Sequence, residues 1–190
     1  MANSDTILDL FRRLGALLEG HFRLSSGLHS AGYLQCALVL QHPPEAEACG
    51  RLLAERVRSL GARVVLSPAL GGIVIGQEVG RALGVRAIFA ERQEGRLTLR
   101  RGFALAAGEP VLVVEDVVTT GGSTRETIEV ARAAGAAVVG AAAIIDRSGG
   151  QPGLDVPFHA LAAIALPAYA PEACPMCAAG LPVTRPGSRA

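Results

Sequence analysis

Residues 111–124 read VLVVEDVVTTGGST. Four apolar strand formers run into an acidic pair, Glu115 and Asp116, then a short Thr/Gly/Ser turn, then RETIEVARAAG, whose apolar residues recur at helical spacing. A strand buried on both faces of a parallel sheet shows such a near-continuous apolar run, and open α/β sheets bind ligands beyond the carboxyl ends of those strands. The turn therefore falls where a ligand is expected. The backbone N–H groups of Thr119 to Ser123, with Gly121 and Gly122 to let a ligand approach, lead into a helix start, where unpaired donors and the helix dipole attract phosphate. This pattern predicts a site for a phosphate monoester. Ionised Glu115 and Asp116 are acceptors suited to sugar hydroxyls or to the water shell of Mg2+. The stretch is neither a GxxxxGK[ST] loop nor a GxGxxG fingerprint.

The same grammar recurs on both sides. Residues 63–67, RVVLS, form a second apolar strand, and the glycine turn at 67–72 with Ala69, Gly71 and Gly72 offers a second backbone anion site before another helical pattern. A third strand, 85–91, leads into ERQEGRLTLRRGFALAAGE, which reads as an exposed mobile loop. Its Arg92, Arg96, Arg100 and Arg101 could meet a multiply charged anion through planar forks of donors, or could be the surface arginines of a solvated hairpin. A strand at 137–145 ends in Asp146 and Arg147, either poised for a ligand or paired at the surface. Residues 151–167 hold one further strand, at the sheet edge or in the hood. Strands alternating with helices argue for a doubly wound, mostly parallel α/β sheet in a single domain, 1–190, with a core at 43–148 and a small hood from 20–40 and about 150–190.

Towards the amino terminus, Ser4 or Asp5 can cap a helix carrying Ile7, Leu10, Phe11, Leu14, Leu17 and Leu18, with Gly20 ending it. Pro43 to Gly61 reads as another helix. The first residues lack a cationic segment followed by an apolar core, and no apolar run reaches membrane-spanning length, so a cytoplasmic protein is expected. Half the chain is hydrophobic and the formal net charge is +1, which gives no overall field for nucleic acid or anionic membrane. Four cysteines then sit in a reducing compartment. Cys174 and Cys177 form one C-x-x-C pair, two ligands where a structural zinc site needs four. Cys36 and Cys49 have no ligand spacing, so zinc would need a distant His or a second chain, and two free thiols are the default. His29 reads as a loop residue, either at the surface or donating to a substrate carboxylate.

Residues 111–123 resemble, at every position, the thirteen-residue phosphoribosyl-diphosphate (PRPP) motif of type I phosphoribosyltransferases. The segment HFRLSSGLHSAGYLQ, with Phe22, Ser26, Gly27, Ser30 and Tyr33, resembles the hood of the orotate phosphoribosyltransferase family, as does the tail CPxC…G-x-P…PGSR. The resemblance implies Mg2+-dependent transfer of ribose 5-phosphate from PRPP to orotate, giving orotidine 5'-phosphate and pyrophosphate in pyrimidine biosynthesis. It implies PRPP on residues 115–123, on Ala69, Gly71 and Gly72, and on Arg92, Arg96 and Arg100. Orotate would meet Thr119, Arg147, Ser26, Gly27 and Tyr33, with Glu115, Asp116 and Arg92 as the catalytic set. Mg2+ would be held through PRPP and water without a direct side-chain ligand, and a homodimer would share the loop 92–102 across subunits.

The chain has Ser25 and Leu28 where several members of the family carry a lysine and an arginine in the hood, and its loop has neither the usual lysines nor a histidine. An arginine neutralises charge but is a poor proton donor, so the loop retains electrostatic stabilisation rather than acid catalysis. Two rivals share the motif. A purine phosphoribosyltransferase would need a different hood, and a PRPP-sensing regulator of RNA or DNA would be expected to show a basic face or an added helix-turn-helix.

Overall fold

The computed structural model describes residues 4–24 and 26–185. Ser25, and the PGSR of the tail, lie outside the described residues. Residues 110–118 form β6 (Pro110–Val118), in the middle of a six-stranded sheet. Its neighbours are β3 (Val64–Pro68) on one side and β7 (Ala137–Asp146) on the other, both parallel to it. The sheet continues outward through β4 (Arg86–Gln93) to an antiparallel edge, β5 (Arg96–Leu99), and through β7 to a parallel edge, β8 (Phe158–Ala163).

Side chains alternate across this sheet as the pleat requires. Val65, Leu112, Val114, Ala142 and Ile144 pack in one core with Ile7 and Phe11 of α1 (Ser4–Arg13), Leu53 and Val57 of α3 (Pro43–Val57), and Ile75 and Val79 of α4 (Gly71–Leu83). Val64, Leu66, Val111 and Val113 face the other way, where α5 (Gly122–Ala133) contributes Ile128 and Ala131. Both faces are covered, which is why the strands are apolar throughout. Truncating a fully buried member such as Leu112 to Ala would cost about 2–5 kcal/mol. Because α4 and α5 leave β3 and β6 towards opposite faces, the carboxyl ends of these adjacent strands open a crevice, the switch point at which such sheets bind ligands.

The amino-terminal helix is shorter than its apolar pattern. Gly15 adopts φ +66°, its N–H donates to Arg12 O, and the Ala16 N–H donates to Phe11 O, closing the helix five residues before Gly20. Leu17 is still buried, but from β1 (Leu17–Arg23). With β2 (His29–Leu34) and β9 (Ala168–Tyr169), β1 makes a separate three-stranded sheet, the hood. The short α2 (Ala37–Leu40) links it to the core. The carboxyl-terminal share of the hood starts at β9, later than residue 150, because β8 joins the main sheet.

The stretch after Glu91, read as a mobile loop or a solvated hairpin, is the hairpin: it prolongs β4 and turns back as β5. Glu94 and Gly95 both have positive φ, the mirror-image turn that matches the twist of a two-residue hairpin. A glutamate in that position gives little warning of such a turn. His29 is likewise no loop residue: it is buried inside β2. Among the described residues no helix is long and apolar enough to cross a membrane.

Candidate active site

The turn after β6 is open. Thr119, Thr120, Gly122 and Ser123 are exposed, and Gly121 takes φ +72° at the start of α5. A side chain at Gly121 would overlap the carbonyl of Pro152, so the corner closes against the 150s loop only with glycine there. The residues from Val117 to Thr124 line a cavity of about 450 Å3 together with Arg92, Glu115 and Glu126. A second cavity of about 280 Å3 adjoins it, sharing Arg92, Glu115, Val117 and Ser123 and adding Pro68, Ala69, Gly71, Leu97 and Asp116. The two glycine turns thus contribute to one crevice. Gly71 is required by proximity: a Cβ there would sit 2.9 Å from both carboxylate oxygens of Asp116.

Neither acidic side chain points away from this crevice. Glu115 is almost fully buried yet lines both cavities, and the Asp116 carboxylate accepts a 2.8 Å hydrogen bond from the Val117 N–H. Neither is ion-paired with another described residue. Burial first, and the neighbouring Asp116 second, push Glu115 up to about 8, so it is protonated near neutral pH while it shares a hydrogen bond with Asp116. Burial also raises Asp116, but hydrogen bonds from Val117 and Glu115 offset part of that rise, which makes it the more acidic member. Two adjacent carboxyls that resist joint ionisation, facing a turn of free N–H groups, suit a ligand with sugar hydroxyls and a phosphate.

Comparison with known proteins narrows that class. Residues 37–157 match the model of the phosphoribosyl transferase domain. An orotate phosphoribosyltransferase of Heliobacterium modesticaldum is 56% identical over 98% of this chain and 99% of its own length, and one of Chlorobium phaeobacteroides is 52% identical over 99% and 97%. The chain belongs to the orotate phosphoribosyltransferase family. Among solved structures, the orotate phosphoribosyltransferase of Aeropyrum pernix superposes with a TM-score of 0.67 at 26% identity, over 83% of this chain and 93% of that one. The Mycobacterium tuberculosis orotate phosphoribosyltransferase solved with PRPP gives 0.67 at 25%, with the same coverage.

Within this family member, the structure separates the expected residues into two groups. Glu115, Asp116, residues 117–123, Ala69, Gly71 and Arg92 line the crevice. Gly72 backs it, within Cβ reach of the Val114 carbonyl. Arg96 and Arg100 are exposed on the hairpin and line neither cavity. Ser26 and Gly27 lie in the β1–β2 turn, and Tyr33 is half-buried on β2 against Phe22, all on the hood. Arg147 follows β7, where its N–H donates to Val118 O at 2.7 Å, fixing it beside the end of β6. Its side chain is half-buried, and its Nε is a buried donor without an acceptor among the described residues. Burial lowers its pKa, so an anion placed there would relieve two deficits at once. Its neighbour Asp146 accepts from the Ser148 N–H and hydroxyl instead of pairing with it.

One residue escaped the sequence reading. Glu126 accepts from both Arg92 terminal nitrogens, at 3.3 and 2.8 Å, and from the Leu97 N–H at 2.7 Å, tying the hairpin to α5. The Leu97 N–H and then Arg92 hold its carboxyl below the usual range. Its signal was its position, one helical turn after Gly122 and Ser123, which faces it towards the crevice.

Proposed function

We propose that the chain transfers ribose 5-phosphate from PRPP to orotate, forming orotidine 5'-phosphate and pyrophosphate in UMP synthesis. The observation that carries this is the exposed glycine corner facing two carboxyls that no cation among the described residues neutralises. The 5'-phosphate anchors on the N–H groups at 119–123, and Glu115 and Asp116 accept from the ribose hydroxyls, orienting the sugar. A bond from the orotate ring nitrogen to the anomeric carbon forms as the bond from that carbon to the diphosphate breaks, its electron pair leaving on pyrophosphate. Positive charge grows on the sugar and negative charge on the leaving group, so Asp116, the more acidic of the two carboxyls, and Arg92 stabilise opposite ends, while Glu115 orients the sugar by hydrogen bonding. Arg147 meets the orotate carboxylate, with Thr119 and the hood residues Ser26, Gly27 and Tyr33 around the base. Arg96 and Arg100 add charge on the diphosphate side. The acidic ring nitrogen of orotate needs no dedicated base.

Mg2+ fits this donor set, since oxygen ligands suit a hard cation and the two unpaired carboxyls open onto one cavity. Glu115 and Asp116 would hold it at second hand, through PRPP and water. When bound, it neutralises diphosphate charge. A cytoplasmic homodimer in which the hairpin reaches the neighbouring subunit agrees with its exposed arginines.

The test is pyrophosphate release with orotate, hypoxanthine, adenine and uracil in parallel, with nucleic-acid retention measured at low salt. Release with orotate alone is expected. Comparable release with a purine base, or none with orotate alongside RNA or DNA retention, would overturn the reading.

A further inference from the structure

We propose that His21, His29, Cys174 and Cys177 form a structural site for one Zn2+ that joins the two ends of the chain in the hood. The C-x-x-C pair supplies two ligands at the start of α6 (Pro175–Ala178), and the fold brings two histidines from adjacent strands to meet them. All four ligand atoms lie within 4.8 Å of one another. Separations are 2.9 Å for His21 Nε2 to His29 Nδ1, 3.5 Å for His21 Nε2 to Cys174 Sγ, 3.7 Å to Cys177 Sγ, and 3.3 Å for His29 Nδ1 to Cys177 Sγ. A tetrahedron with Zn–S of about 2.3 Å and Zn–N of about 2.0–2.1 Å has edges of roughly 3.3–3.8 Å, so small side-chain rotations fit the ion.

Two features favour a metal over a chance cluster. His21 Nδ1 lies 2.8 Å from the Leu181 carbonyl, which only a protonated Nδ1 can use, so the Nε2 lone pair is turned into the cluster. Moreover, His21, His29 and Cys174 are buried, and only Cys177 is exposed. Four protein ligands leave no open position, the arrangement of structural rather than catalytic zinc. The ion would tie together the two strands that flank the turn bearing Ser26 and Gly27. It would also add to the clamp in which the Thr184 N–H and hydroxyl donate to His21 O and the Arg23 N–H donates to Thr184 O.

The experiment uses the full chain, purified without a metal-affinity step. Elemental analysis should find one Zn2+ per chain, and Cys177→Ser should lose it, whereas Cys49→Ser, altering a buried cysteine elsewhere, should keep it. Chelation should lower Tm in the wild type and not in Cys177→Ser. Co2+ exchanged into the wild type should give tetrahedral d–d bands with a thiolate charge-transfer band, a readout that does not depend on a variant folding. Zinc content well below one per chain after incubation with Zn2+, an octahedral Co2+ spectrum, or a Cys174–Cys177 disulfide in protein isolated under reducing conditions would each overturn the site.

Discussion

The corner after β6 and the hairpin of β4 and β5 face the same crevice but are built on opposite principles. At the corner, the turn that carries the backbone N–H groups is exposed and lines the cavity, Gly121 keeps a side chain off the Pro152 carbonyl, and neither carboxyl is ion-paired with another described residue. On the hairpin, charge is already spent: Arg92 pairs with Glu126 at 2.8 Å and Arg101 with Glu91 at 2.7 Å. Exposed ion pairs contribute little to stability, so such partners are exchanged at small cost. If the proposed reading is right, the corner is preorganised for the end of the substrate that stays bound, and the hairpin's paired arginines can be released to the end that leaves.

The comparison breaks most visibly at Asp116. Asp116→Asn keeps the shape and removes the charge that faces the sugar, so turnover should fall roughly 10²–10³-fold. Since burial already opposes ionisation there, thermal melting should show no loss of stability. Near-normal steady-state turnover would show that the corner binds without this acid.

Gly71→Ala attacks the same point from the neighbouring turn. The added methyl would lie 2.9 Å from both Asp116 oxygens, displacing the carboxylate without altering its charge. Misplacement of about 1 Å can cost about 10²-fold, so a loss of roughly ten- to a hundredfold in kcat/KM is expected. Gly84→Ala, where the neighbouring space is open but φ is +75°, controls for backbone strain and should alter Tm rather than kcat/KM.

Glu115 sharpens the contrast through pH. Its folded pKa of about 8 stands above the ordinary 4.5, so between those values the folded chain binds more protons than the unfolded one. Stability conferred by holding that proton is complete below about 4.5 and is lost as pH rises towards about 8, with a slope of at most about 1.4 kcal/mol per pH unit. Denaturant titrations of Glu115→Gln should lack this slope. An unchanged slope would place the proton elsewhere.

The sequence disclosed the crevice more readily than the hood because strand, turn and helix are local patterns. Val111 to Val114 are apolar because both sheet faces are covered, and the turn after them carries its glycines within a few residues. Gly15 does not stand out as a helix end because Leu17 and Leu18 continue the apolar spacing, although β1 uses them as a strand. The hood cluster was out of reach for another reason: Cys174 meets His21 across 153 residues, and only the assembled β1–β2–β9 sheet brings them together. Glu126 was legible in principle from helical periodicity, but its pairing with Arg92, 34 residues away, was not.

The finest division lies within the hairpin itself. Arg92 lines both cavities, whereas Arg101 stacks over Phe89 at 5.7 Å and pairs with Glu91. If charge in reserve is what the hairpin contributes, Arg92→Ala should raise KM for PRPP by about tenfold, the worth of one charge-assisted hydrogen bond. Arg101→Ala should leave KM near wild type and alter only the local packing on Phe89. Glu126→Gln supplies the opposite perturbation, because it frees Arg92 from a competing carboxylate while keeping an acceptor for the Leu97 N–H. PRPP should then bind at least as tightly as to the wild type. Weaker binding would mean that Glu126 holds Arg92 in its working position, and the hairpin would be as preorganised as the corner it faces.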